Sequence, residues 1–215
     1  MRINKLKFIR NIAICIVALF VVAFILNMTP GYKRDKYKDI TNIVIGDTNF
    51  TEDLKNLIYI SEKGTIYLSE EDAVNLLNCK IYYEKYYNKT IIICADKVAA
   101  ISGTEKILEI NGAKKDILET EVLINNKIYL PISEMKLVFN IEMDYIKDND
   151  VVIIDRLNEG IIKADVSIRS DIQYKPRGLS KVVGELNVGD KVSCFYTTSK
   201  GWRLIRTEDG VLRIC

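Results

Sequence analysis

Histidine is absent from the 215 residues of this chain. With it go the imidazole-bound zinc and copper sites, the Ser-His-Asp and Cys-His nucleophile arrangements, and the commonest general base near neutral pH. Five cysteines (Cys15, Cys79, Cys94, Cys194, Cys215) show no metal-ligand spacing, and an odd count with one inside an apolar run is a poor disulfide framework. Cys79 and Cys94 read as small buried hydrophobes; a bridge between them would need the two to fall opposite one another on adjacent strands. An excess of one charge is lacking too. Of 31 basic residues four precede the apolar run near the N-terminus, leaving 27 against 29 acidic ones, so no footprint for nucleic acid is present.

The apolar run covers residues 12–26 without interruption. As a helix it measures about 22 Å, and extension from Phe8 to Met28 lets Arg10, Asn11 and Asn27 reach the headgroups of a hydrocarbon core about 30 Å thick. A cleaved secretory signal has the same basic start but ends in a small-x-small site, whereas Phe24-Ile25-Leu26-Asn27-Met28 is bulky. Ile14 before Cys15 also departs from a lipoprotein signal. The expectation is a cytoplasmic basic tip at 1–10 and a single-pass signal anchor at 11–28. Arg2, Lys5, Lys7 and Arg10 on one side nearly balance Lys33, Arg34, Lys36 and Lys38 on the other, so the positive-inside rule alone does not orient it. An inward N-terminus is chosen because a ten-residue tail need not be translocated and the later modules look extracytoplasmic.

Residues 29–42 open on Pro30-Gly31 and then carry dense charge, the pattern of a solvated linker. From 43 to 156 short alternating runs rich in Ile, Val and Tyr predict strands, and the stretch repeats itself. Thr65-Ile66-Tyr67-Leu68-Ser69, a helical piece to Leu77, Asn78-Cys79-Lys80-Ile81-Tyr82-Tyr83 and Thr90-Ile91-Ile92-Ile93 correspond, with one gap, to Lys127-Ile128-Tyr129-Leu130-Pro131, a helical piece to Phe139, Asn140-Ile141-Glu142-Met143-Asp144-Tyr145 and Val151-Val152-Ile153-Ile154. Ser69 caps the first helix and Pro131 begins the second. Their apolar sides (Ala73, Leu76, Leu77; Met135, Val138, Phe139) must lie on strands, because two-turn helices do not persist alone. Asn88-Lys89 and Asn149-Asp150 close hairpins, so each copy is expected to be hairpin, short helix, hairpin. Asp144, Asp148 and Asp150 read as turn residues, without the glycine and terminal Glu of a calcium loop.

On Leu108-Glu109-Ile110-Asn111-Gly112-Ala113-Lys114, Val122-Leu123-Ile124, Tyr129-Leu130-Pro131-Ile132 and Asp148-Asn149-Asp150-Val151-Val152-Ile153, this part resembles the copper amine oxidase N-terminal-like domain, a stalk module of exported Gram-positive proteins. The first copy has Leu68-Ser69 where the second has Leu-Pro. The resemblance implies no copper, and the lack of histidine excludes an oxidase on coordination chemistry.

Leu157-Asn158-Glu159-Gly160 is a polar break. Beyond it stand Ala164-Asp165-Val166-Ser167-Ile168-Arg169-Ser170, Lys181-Val182-Val183-Gly184-Glu185-Leu186, Val188-Gly189-Asp190-Lys191-Val192 and Gly201-Trp202-Arg203-Leu204-Ile205-Arg206, in that order. Residues 162–215 thus resemble the bacterial SH3-like domain, a small partly open barrel that holds proteins on the cell wall. Gly189-Asp190 and Asp209-Gly210 read as hairpin turn pairs. Trp202, Tyr174 and Tyr196 are the candidate ligand-stacking rings, with core packing as the alternative, and Arg169 is the candidate partner of a peptide carboxylate, or else of Asp171 or Asp190. After the Asp-Gly turn the family has a Gly-aromatic step; Val211-Leu212 stands here instead.

The sequence therefore implies an N-terminal transmembrane helix, then a mainly β chain with short helices and a small SH3-like barrel. The expected function is that of a non-catalytic, membrane-anchored, extracytoplasmic envelope protein, without cofactor or metal, that binds peptidoglycan or a protein partner. The alternative is a shortened chitinase-like glycoside hydrolase without its catalytic barrel.

Overall fold

The computed structural model describes residues 16–18 and 40–215, residue 179 excepted. Of the expected span at 11–28 only 16–18, helical and exposed, are described; the remainder, the basic tip and most of the linker lie outside the described residues. Among the described residues no helix is long and apolar enough to cross a membrane. The described chain is mainly β with a few short helices.

It opens with β1 (Asn42–Ile45) and β2 (Thr48–Asn49), then the first copy of the repeat: β3 (Tyr59–Ile60), β4 (Ile66–Ser69), α1 (Glu70–Leu77), β5 (Lys80–Glu84) and β6 (Lys89–Ile93). Three further strands, β7 (Val98–Ser102), β8 (Ile107–Ile110) and β9 (Ala113–Asp116), continue the sheet begun by β5 and β6. The second copy follows as β10 (Val122–Ile124), β11 (Lys127–Pro131), a 3-10 turn over Ile132–Met135, α2 (Lys136–Phe139), β12 (Ile141–Ile146) and β13 (Val151–Arg156).

The copies correspond at a constant offset of 62 residues, with no gap. Tyr67 matches Tyr129, the helix-ending Asn78 matches Asn140, and the hairpin pair Ile81 with Ile92 matches Met143 with Ile154. The left-handed residues repeat as well, Asn78 and Asn140 at the helix ends, Asn88 and Asp150 at the hairpin loops. Asn and Asp occupy these positions because a short polar side chain tolerates φ near +50°. β4 pairs antiparallel with β11 so that Leu68 faces its own counterpart Leu130, with Tyr67 against Pro131 and Ser69 against Tyr129. A pseudo-twofold axis therefore passes through the Leu68–Leu130 pair, and one core fills the space between the copies, with Ile43, Leu68, Ala73, Ile92, Leu130, Met135 and Ile154 all buried in it.

The helix starts differ for a local reason. Ser69 Oγ accepts the Asp72 amide at 3.1 Å and donates to Asp72 Oδ2 at 2.6 Å. The buried Asp72 also takes the amides of Lys55 and Asn56 at 2.8 and 3.1 Å. Pro131 offers no side-chain cap, and without one the first turn of the second helix tightens into 3-10 geometry.

The copies diverge in what flanks their hairpins. β7 lies antiparallel beside β6, whereas β1, from before the first copy, lies parallel beside β13, with Ile43 opposite Val152 and Ile45 opposite Ile154. Ile43, Ile45, Val152 and Ile154 face the stalk core, while Val44, Val151 and Ile153 face the last part of the chain. Burial on both faces explains why these strands read as unbroken aliphatic runs.

That last part comprises β14 (Ile162–Asp165), β15 (Ser170–Gln173), β16 (Val182–Leu186), β17 (Lys191–Thr197), β18 (Arg203–Thr207) and β19 (Leu212–Ile214), in the sheet order β14-β17-β18-β19-β15-β16. Asp209-Gly210 closes the β18–β19 hairpin as expected. Gly189-Asp190 forms a turn but not a hairpin, because β16 pairs with β15 and β17 with β14 and β18. Short β19 sits between β18 and β15.

Ser69→Ala should lower folding stability by about 1–2 kcal/mol, as the urea midpoint at pH 7 would report. An unchanged midpoint would show that the cap is dispensable.

Candidate functional site

β18 is buried on both faces. Ile205 packs with Ile172, Leu186 and Val192 inside the terminal sheet. Leu204, together with Leu212 and Ile214 of β19, meets Val44, Val151 and Ile153 of the stalk. Arg206, in phase with Leu204, is 4% exposed and crosses the joint: its guanidinium donates to both Asp155 oxygens at 2.8 and 2.7 Å and to the Gly46 carbonyl at 3.0 Å, with the Phe195 ring 5.4 Å away. Gly210 lies so close to the stalk that a Cβ there would come within 3.0 Å of Val151, and Asn149 donates to the Asp209 carbonyl at 3.0 Å. The polar break at 157–160 is therefore not a free hinge; the two parts share a core.

The four residues singled out in the sequence do not converge. Trp202 follows Gly201, bonds through its amide to Thr198 Oγ1 at 3.1 Å, and packs half-buried on the joint core. Tyr196 lies on β17 in register with Leu204 and is 45% exposed. Tyr174 follows β15, partly exposed, with Lys175 Nζ 5.8 Å from its ring centre. Arg169 pairs with neither Asp171 nor Asp190 but with the Glu185 carboxylate, and that partner raises the guanidinium pKa further. The β15–β16 register sets this choice by placing Glu185 opposite Asp171, while Asp190 takes the Asn187 amide at 2.8 Å. Arg169 and Tyr174 flank the two ends of β15, and two strands separate that strand from β17.

A concave surface lies elsewhere, beside the joint. A groove of about 480 Å³ runs between β12/β13 and β14/β17, floored by Ile153 and Val192 and walled by Asp144, Lys163, Asp165, Lys191, Arg206 and Glu208. It runs into a second hollow of about 410 Å³ that shares Asp144, Ile153, Lys163 and Arg206 and adds Lys136, Glu142 and Asp155. Some of these charges are committed: Lys163 pairs with Glu142 at 3.2 Å and Lys136 bonds the Met143 carbonyl at 3.1 Å. Both signs line the groove, so it suits a ligand that carries amine and carboxylate together. A third hollow of about 600 Å³ lies beside α1, with the exposed Lys55–Glu71 pair at its rim.

Arg206 and Asp155 were not singled out in the sequence, although a signal was there: an arginine in phase with a leucine destined for burial needs a buried acid. Cys79, Cys94 and Cys215 offer no ready nucleophile. Cys79 and Cys94 extend the β5–β6 register by one pair, both thiols are free, and burial pushes Cys79 up to about 12 and Cys94 and Cys215 above the usual range. Asp150 Oδ1 accepts the Tyr145 hydroxyl at 2.9 Å, a turn role for that carboxylate. Glu121 is more unusual: Oε1 takes a long bond of 3.4 Å from Thr90, Oε2 has no partner among the described residues, and burial raises its pKa.

No protein-family model, curated protein or solved structure matches this chain. The functional reading therefore rests on the residues and their geometry.

Two expectations follow. Truncating either Arg206 or Asp155 to Ala should cost about 3–5 kcal/mol by stranding the buried partner, with strong non-additivity in the double variant; additive losses in denaturant melts would contradict a coupled joint. Glu121→Gln should gain stability relative to the parent as pH rises. A raised folded pKa favours the neutral acid, so the parent loses stability from the unfolded carboxyl pKa upward until the folded pKa is passed. Melts at pH 3.5 and pH 8 should show the gap opening at the higher pH; an equal gap at both would refute the assignment.

Proposed function

We propose that this chain is a membrane-tethered, extracytoplasmic envelope protein that binds rather than cuts. The apolar run at 12–26 serves as the anchor, the two-copy stalk as a rigid spacer, and residues 162–215, with their likeness to SH3-like wall-binding domains, as the gripping part. One observation carries this reading: the terminal sheet is locked to the stalk through a shared core, and an open groove lined by both charge signs lies beside that lock. A stiff joint keeps the groove in a fixed shape, so binding there loses little to ordering. Peptidoglycan stem peptides, which carry amines and carboxylates on one short chain, fit such a lining. An envelope protein with a similarly mixed surface is the other class of partner.

The joint also determines the form of the test. Residues 162–215 alone would expose Leu204, Leu212 and Ile214, so the whole arm from 40 to 215 is the right sample. It should sediment with purified peptidoglycan, and Lys163→Glu with Lys191→Glu should lower the bound fraction about tenfold at unchanged melting temperature. In intact cells, residues 33–38 should be open to added protease. An arm that stays in the supernatant, or a linker protected until the cells are lysed, would defeat the reading.

A further inference from the structure

A bridge between Cys79 and Cys94 requires the two to face each other on adjacent strands, and the structure meets that requirement. Lys80 lies opposite Ile93 and Ile81 opposite Ile92 in the β5–β6 hairpin, so the next pair toward its open end is Cys79 with Cys94. Sixty-two residues on, the equivalent pair is Ile141 with Arg156, which stands in ladder register in β12–β13. Just beyond it the Leu157 amide donates to the Asn140 carbonyl at 3.0 Å. That makes 140–157 a hydrogen-bonded pair and 141–156 a non-hydrogen-bonded one. Asn78 enters the first hairpin with a φ of 52°, as Asn140 enters the second with 54°. Cys79 and Cys94 therefore occupy a non-hydrogen-bonded site, where facing Cα atoms lie about 4.5 Å apart and side chains approach most closely. A disulfide spans Cα separations of about 4.4–6.8 Å.

Both side chains also project to one side of the sheet. Cys94 is in phase with the buried Ile92 and Cys79 with its partner Ile81, and both cysteines pack in the stalk core. Cys79 Sγ lies 3.6 Å from the Ala73 carbonyl. Burial and then the neighbouring Cys94 thiol raise the Cys79 pKa. Cys194 and Cys215 make the contrast: Cys194 stands opposite Ile205 of β18, and Cys215 exchanges backbone bonds with Arg203 of that same strand. β18 thus separates them.

We propose that Cys79 and Cys94 are a disulfide-forming pair, which staples the open end of the first hairpin when the chain meets a small-molecule disulfide. Half-buried Cys94, the more accessible of the two, loses its proton and attacks one sulfur of the small disulfide. That S–S bond breaks, Cys94 is left in a mixed disulfide, and the first small thiolate leaves and takes up the proton. Cys79 then attacks the Cys94 sulfur, the mixed bond breaks, and a second small thiol departs with the Cys79 proton. Two protein thiols are oxidised and one small disulfide is reduced to two thiols. Burial slows each attack by keeping thiolate scarce; the facing geometry favours closure once the mixed disulfide has formed.

The repeat shows what the staple would do. In the second copy the same hairpin end is fastened by Arg156, which donates to the Leu76 carbonyl and to Glu159, each at 3.0 Å. Cys94 stands in the place of Arg156 and has no such reach, so the bridge supplies the fastening where α1 runs into β5 and β6 turns toward β7. An extracytoplasmic arm would be held in the bridged form, but the pair depends neither on that placement nor on the groove.

The test uses the full chain in detergent. Oxidised glutathione is added in excess to the folded chain and, in parallel, to the chain as it refolds from urea, so that both thiols are reached before the core closes over them. After acid quenching and alkylation of the remaining thiols, mass spectrometry of the peptides should find Cys79 joined to Cys94 as the main disulfide, with Cys194 and Cys215 alkylated. Closing a loop of sixteen residues should raise the melting temperature by about 5–10 °C over the same sample reduced with dithiothreitol. Cys79→Ala and Cys94→Ala, each compared with its own reduced sample so that the loss of a packed thiol cancels, should show no such shift. Cys194→Ala with Cys215→Ala should keep it. Absence of the Cys79–Cys94 link from both oxidised samples overturns the proposal. So does a mixed disulfide that persists on Cys94, a dominant link between other cysteines, or a Cys79–Cys94 link that leaves the melting temperature unchanged.

Discussion

Arg206 reaches out of one folded unit to bond a carboxylate and a carbonyl of another, and the arrangement of the arm depends on that reach. A guanidinium excluded from water is tolerable only where every donor direction finds an acceptor. Asp155 fixes two directions and Gly46 a third. The pair does more for geometry than for net stability, since an apolar replacement of matched shape could pack there as well. Its planar two-point contact admits few alternative alignments, and the aliphatic side chains around it then settle into one register. The charged groove beside the joint inherits its shape from that alignment.

The stalk shows how one short motif, used twice, makes a core that neither copy could make alone. Each helix is too short to stand unsupported, and each short central strand, β4 or β11, would expose one edge without the other. Pairing Leu68 against Leu130 joins the two halves through equivalent residues, so the same local sequence satisfies both sides of the seam. The halves then part company according to what lies beyond: antiparallel continuation in one, a borrowed strand and a docked domain in the other.

Much of this was legible in the residues. The repeat, the hairpins closed at Asn88 and Asp150, the cap at Ser69 and the buried faces of both helices all have local signals, namely periodicity, a tolerated positive φ and a hydroxyl before acidic residues. What escaped was non-local. Nothing near Ile43 says that it pairs with Val152, because a parallel partner more than a hundred residues away leaves no turn to read. Gly189-Asp190 has hairpin chemistry, yet strand order is set by the sheet as a whole. The four candidate ligand residues share a compositional logic but do not converge, and the groove beside the joint is walled by lysines and carboxylates that look like ordinary surface when taken singly.

The borrowed strand has a consequence for how the molecule is made. β1 emerges from the ribosome first among the described strands, yet its parallel partner is complete only when Arg156 has been synthesised. Until then the run Asn42–Ile45 has no backbone partner on that side, and closing so long a loop is slow compared with forming the local hairpins. The earliest segment is thus the last of the stalk to find its seat, and the nascent chain must keep one edge of a sticky aliphatic strand, paired on its other side only with β2, open while the rest condenses around the vacancy it will fill.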